Sequence, residues 1–218
     1  MHRKWIGSLT AVALCASLGC ELEDGGGGNG GGGPELTVTL PSDSLLDGWI
    51  RDEGNFQRTG SQVIVGDVVV GGVSRGHRGF YSFDISVIPS GSTVTSATLR
   101  LYQFNFAGSP YAELGNVVVD HLDYGATIGG LEDYSATAFV SGMGPLSTNT
   151  TVEYKTLGVT ARVQADVAAG RTRSQYRLRF SNADFSNDGS ADFVQFSDAE
   201  FFTADVPQLV VKYREPAP

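Results

Sequence analysis

The chain has 218 residues, 41% of them hydrophobic and only 18% charged, with 29 Gly, 12 Phe and 8 Tyr. This is enough for one globular domain with short appendages, not for two full domains; Gly stands well above its usual share of about 7%, and high Phe, Tyr, Val and Thr with scarce Met and Lys complete a β-sheet composition. A formal charge of −9 excludes a general nucleic-acid binder, because phosphates need clustered Lys and Arg.

The chain opens as a secretory leader. Arg3 and Lys4 supply a positive start, Trp5 to Leu14 a short apolar core, and Ala16 to Gly19 a run of small or apolar residues. A transmembrane helix needs about 20 mainly apolar residues, and no later segment comes close. Both cysteines, Cys15 and Cys20, lie at this end, so the body has no disulfide framework. The run Ser17-Leu18-Gly19-Cys20 resembles a bacterial lipobox, in which the cysteine is diacylated and becomes the new N-terminus. Residues 1–19 are therefore read as a lipoprotein signal peptide and Cys20 as the lipid attachment site. Ordinary cleavage nearby, leaving an unmodified thiol, is the alternative.

Residues 20–34 form a tether in this reading. Glu21 to Asp24 is acidic, Gly25 to Gly33 is all Gly except Asn29, and Pro34 closes the stretch. Such a coil has a root-mean-square reach of roughly 20 Å. The protein is expected at the outer membrane or cell surface, in contact with the membrane through its N-terminal lipid alone, as a monomer without a nucleic-acid partner.

From residue 35 to 218, short apolar or alternating runs are punctuated by turn residues, the pattern of an all-β domain. Strands are predicted at Leu36 to Leu40, Gly48 to Arg51, Gln62 to Val70, Arg78 to Ile85, Ser96 to Phe106, Asn116 to Leu122, Thr151 to Thr156, Ser174 to Ser181, Asp192 to Phe196 and Gln208 to Tyr213. Asp123 to Thr150 is rich in Gly, Ser and Thr and reads as loop with at most one strand, near Phe139. Val159, Val163 and Val167 stand four apart before Gly170 and predict one short helix. Alternation places Ala97, Leu99 and Leu101 inward, opposite Arg100, Tyr102 and Phe104. It likewise places Tyr176, Leu178 and Phe180 inward, and Gln175, Arg177 and Arg179 outward.

The segment Arg78 to Tyr102, RGFYSFDISVIPSGSTVTSATLRLY, resembles the signature of the DNRLRE-domain family, with its FD-type strand, P-x-G turn and SATLRLY strand. Val159 to Gly170, the Ser197-x-x-Glu200 spacing and the closing Pro207-Gln208-Leu209-Val210-Val211-Lys212-Tyr213 are similar to later parts of that family. The resemblance covers Ser42 to Arg214. It implies a jelly-roll antiparallel β-sandwich found in secreted and surface proteins and related to carbohydrate-binding modules that prefer alginate-like chains. It carries over no catalytic residue.

Three kinds of site residue stand out. Arg100, Tyr102, Arg177 and Arg179 are the candidate ligand-binding residues: Arg can meet a uronate carboxylate bidentately, and Tyr rings can stack on sugar faces. Pairing of the Arg residues with acids on adjacent strands is the competing reading. Asp184, Asn187, Asp188 and Asp192, with Asn182, gather around a turn at Gly189 and could offer oxygens to a structural Ca²⁺, although Asn, Asp, Ser and Gly are also standard turn residues. His77 and His121 have no body cysteine to join them in a transition-metal site. Asp84, mid-strand beside Phe83, reads as a structural hydrogen-bonding or ion-pairing group.

The function expected is a noncatalytic, lipid-anchored surface module that binds a polysaccharide such as a uronate chain. An adhesin-like module binding another surface protein is the alternative, and a polysaccharide hydrolase resting on two carboxylates is a third.

Overall fold

The computed structural model describes residues 33–60, 62–201 and 204–217; Cys20 and nearly all of the tether lie outside the described residues. The strands are β1 (Glu35–Pro41), β2 (Gly48–Arg51), β3 (Phe56–Gln57), β4 (Val63–Val70), β5 (Val73–Asp84), β6 (Thr93–Ala107), β7 (Val117–Leu122), β8 (Val140–Ser147), β9 (Glu153–Gly158), β10 (Arg173–Phe180), β11 (Asp192–Phe196) and β12 (Gln208–Arg214). Three helices, α1 (Pro110–Glu113), α2 (Gly130–Tyr134) and α3 (Thr160–Ala168), lie between them. All ten expected strands are present, and the expected helix is α3. β3, the single-turn α1 and α2, and most of β8 are additions.

All strand pairs are antiparallel, and hydrogen bonds run along the path β1-β12-β6-β11-β4-β5-β10-β7-β8. β6 is long enough to take three partners. Residues Thr98 to Arg100 pair with both β12 and β9, and Gln103 with both β9 and β11. β12 and β11 therefore follow each other along one edge of β6, and β9 holds the other. Strands from both ends of the path, including β1 (Leu40), β8 (Leu146) and β12, bury side chains in one cluster, as in a jelly-roll-like β-sandwich. Gly66 of β4 takes φ +115°; a Cβ there would meet the Asp192 carbonyl oxygen and the Phe180 ring, so only glycine lets β4 and β11 approach.

The alternation read from the sequence holds for the core. Ala97, Leu99 and Leu101 of β6, Leu209 and Val211 of β12, Tyr81 and Phe83 of β5, and Tyr176, Leu178 and Phe180 of β10 belong to one buried cluster. Val159, Val163 and Val167 join it, which explains why a nine-residue helix too short to persist alone is held in place. Asp84 ends β5 at the surface, where Oδ1 accepts a hydrogen bond from the Ser86 amide (2.9 Å) and fixes the turn.

A second apolar cluster lies outside this core. Leu46, Ile50, Phe80 and Leu122 are covered by Tyr124, Ile128 and Tyr134 from the segment between β7 and β8. Phe80 and Tyr124 meet edge to face at 5.4 Å. The stretch read as plain loop thus acts as a lid over the outer side of β5 and β10, and this decides the fate of the β10 arginines.

Candidate functional site

The outer side of β6 is the part of the predicted binding face that remains accessible. Arg100 and Tyr102 point away from the core, as alternation requires, and both are half-buried. Register sets Tyr154 of β9 opposite Tyr102, and the two rings lie 5.2 Å apart. The Arg100 guanidinium sits 4.7 Å over the Tyr154 ring and donates from Nη1 to Gln208 Oε1 (2.9 Å). Among the described residues the Arg100 guanidinium makes no other hydrogen bond and no ion pair, so most of its donors remain open. Tyr154 is held in place because its hydroxyl donates to the carbonyls of Ala204 (3.0 Å) and Val206 (3.1 Å).

Farther along β6 a bulge interrupts the alternation, since Gln103 pairs with Phe196 and Asn105 with the very next residue of β11, Gln195. Phe104 falls at this irregularity and stacks on Phe201 at 4.6 Å, with the rings 28° from parallel. Beyond it, Asn105 Nδ2 donates to Gln195 Oε1 and Gln195 Nε2 to Gln62 Oε1, both at 2.6 Å. One face thus presents a cation over a phenol, two phenol rings, a stacked Phe pair and a chain of amides. Such groups suit a sugar polymer, where rings stack on apolar sugar faces, amides meet hydroxyls and a guanidinium meets a carboxylate.

Arg177 and Arg179 are not part of this face, because β11, β4 and β5 separate β6 from β10. Nor do they point into solvent. Arg177 is 5% exposed under the lid and donates from Nε (3.1 Å) and Nη2 (2.8 Å) to Asp120 Oδ2, and from Nη1 to the carbonyls of Tyr134 and Ala136 (both 2.9 Å). Arg179 Nε donates to the same Asp120 oxygen at 3.1 Å. Burial pushes the Asp120 pKa up, but the Gly142 amide and the two guanidinium groups outweigh it, and the carboxyl titrates below its ordinary value. The outward placement is corrected for a physical reason: the side of β10 away from the main core is covered by a second core.

The remaining arginines of the two basic stretches are also matched to acids. Arg75 pairs with Glu53 (3.1 Å), Arg78 with Asp184 (2.7 Å), Arg171 with Asp166 (3.0 Å) and Arg173 with Asp43 (2.8 Å). Asp166 also accepts from His121 Nε2 at 2.9 Å in a buried pair. His77 is buried against Trp49, ring centroids 4.7 Å apart, with Nδ1 at 2.9 Å from the Arg75 carbonyl. Burial, reinforced by the charge of Arg51, pulls the His77 pKa down to about 4 against its backbone hydrogen bonds.

The acids of the Asn182 to Asp192 turn are dispersed. Asp184 is held by Arg78 and by the Tyr134 hydroxyl (3.0 Å). Asp188 Oδ1 accepts from the Ser190 amide (2.7 Å) and Ser186 Oγ (3.0 Å), closing its own turn, in which Asn187 takes φ +62°. Asp192 is buried opposite Asp67 across β4 and β11, and its Oδ1 accepts from the Ser109 amide (2.6 Å). Among the described residues, Asp184, Asp188 and Asp192 do not bring their carboxylate oxygens together as a metal-ligand set. Each of these acids is used by a different neighbour.

Sequence reasoning missed Tyr154, Phe201, Asn105, Gln195 and Gln62. The only local signal was the alternation of Thr151 to Thr156, which leaves Tyr154 and Thr156 on one side; joining Tyr154 to Tyr102 needs the β6–β9 register. No family model matches the chain, and no curated protein matches it.

Proposed function

We propose that this protein is a noncatalytic surface module, anchored by a lipid on Cys20, that binds a polysaccharide through the outer face of β6. The observation that carries this reading is the Arg100–Tyr102–Tyr154 group: two adjacent phenol rings with a guanidinium that has no acidic partner among the described residues. Its open donors suit a uronate carboxylate, and the rings suit the apolar side of any pyranose. The resemblance of Arg78 to Tyr102 to the DNRLRE-domain family and the lipobox-like Gly19-Cys20 support the same reading. No described helix is long and apolar enough to cross a membrane.

The test is titration of the protein against a uronate chain and a neutral polysaccharide. A charge-assisted hydrogen bond contributes about 1.5–3 kcal/mol, so Arg100→Ala is expected to weaken uronate binding at least about tenfold and to leave the neutral chain little affected. Tyr102→Ala weakens both. If both variants, folded by circular dichroism, bind like the parent, the β6 face is not the site.

A further inference from the structure

We infer that Asp47, Asp198 and Glu200 form a Ca²⁺ site that ties the connection between β1 and β2 to the connection between β11 and β12. Each residue offers a carboxylate oxygen, and the three oxygens lie within 4.8 Å of one another. Asp47 is 0% and Asp198 1% exposed, while Glu200 stands at the surface. The Asp47 carboxylate is only half satisfied. Its Oδ2 accepts from Ser42 Oγ (2.7 Å) and the Ala199 amide (2.9 Å), but its buried Oδ1 has no hydrogen-bond partner.

A buried carboxylate normally finds a cation or a full set of donors, because an unpaired charge out of water is costly. Here neither is present: none of the ion pairs among the described residues involves Asp47, Asp198 or Glu200. Three acids are thus gathered without a counter-charge among the described residues. A divalent ion supplies that charge. The donors are all carboxylate oxygens with no thiol or imidazole, which selects a hard cation, and a surface-exposed Glu leaves room for water to complete the six to eight oxygens that Ca²⁺ takes.

The position gives the ion a structural role. Ser42, which bonds Asp47, also donates its amide to the Pro207 carbonyl (3.2 Å), so the two connections already touch. The β11–β12 connection carries Phe201, whose ring stacks on Phe104. An ion at Asp198 and Glu200 fixes the segment from which Phe201 reaches the β6 face.

Isothermal titration calorimetry of the chelator-stripped, full-length protein with Ca²⁺ tests the assignment independently of any glycan. One site is expected, with affinity lowered at least tenfold in Glu200→Gln, whose exposed position spares the fold, and in Asp198→Asn, and unchanged in Asp188→Asn and Asp192→Asn. Bound Tb³⁺ should luminesce on tyrosine excitation, since the Tyr81 and Tyr124 hydroxyls donate to the carbonyls of Ser197 and Leu46 (both 2.7 Å), the residues just before Asp198 and Asp47, and Ca²⁺ should quench the signal by displacement. Absence of binding at millimolar Ca²⁺ would overturn the proposal. So would binding that survives Glu200→Gln and Asp198→Asn, or that disappears with Asp192→Asn, which would move the ion to the Asp67–Asp192 pair.

Discussion

Asp120 is the point where the lid is fastened, and removing it should have a large effect. Its Oδ1 accepts from the Gly142 amide (2.7 Å) and Ser141 Oγ (3.0 Å), and its Oδ2 takes both Arg177 donors and Arg179 Nε. Asp120→Ala leaves the Arg177 guanidinium, 7% exposed at its side chain, with carbonyl partners only and no counter-charge. Breaking one side of a buried pair costs about 3–5 kcal/mol, because the stranded charge stays out of water. For a domain of this size that corresponds to a fall in Tm of roughly 10 °C or more. Asp120→Asn keeps an acceptor for Gly142 and should fall between parent and Ala. Asp120→Leu combined with Arg177→Met should recover part of the loss but not all, since the carbonyls of Tyr134 and Ala136 lose their donor. The assay is urea unfolding followed by the fluorescence of Trp49, which with Trp5 makes up the two tryptophans of the chain, at pH 7. The sign with pH is defined: a carboxyl held below its ordinary pKa contributes stability above pH about 4 and loses it as pH falls through the lowered folded value. If Asp120→Ala unfolds at the parent's midpoint, Arg177 is not charge-paired under the lid and its removal from the binding face must be reconsidered.

His77 titrates the other way from a surface histidine. With a folded pKa near 4 against about 6.5 unfolded, stability is fully present above pH about 6.5, declines by about 3 kcal/mol on acidification to pH about 4, and is flat below that. His77→Gln should remove this slope in unfolding midpoints measured from pH 7 to 4, and an unchanged slope would assign it elsewhere. Gly66→Ala puts a Cβ into the β4–β11 pairing at φ +115° and should destabilise by about 1–3 kcal/mol, read as a lowered Tm. Cys20→Ser is expected to shift the protein from the detergent phase to the aqueous phase; an unchanged membrane fraction would remove the lipid anchor.

What the sequence by itself determined is ten of the twelve strands and the face that β6 and β10 turn inward. Period-two alternation in Ala97 to Leu101 and Tyr176 to Phe180 and the four-residue spacing of Val159, Val163 and Val167 named core residues correctly, because burial on one side of an element leaves a local, periodic trace. Alternation says nothing about what lies over the other side. Arg177 and Arg100 carry the same local signature, yet one is sealed under residues 124–138 and the other stays open, a difference made by a segment more than 35 residues away in sequence. The same holds for Tyr154 beside Tyr102 and for Asp47 beside Asp198 and Glu200. These groups are assembled by strand register and by two connections distant in the chain, so only the tertiary structure decided them.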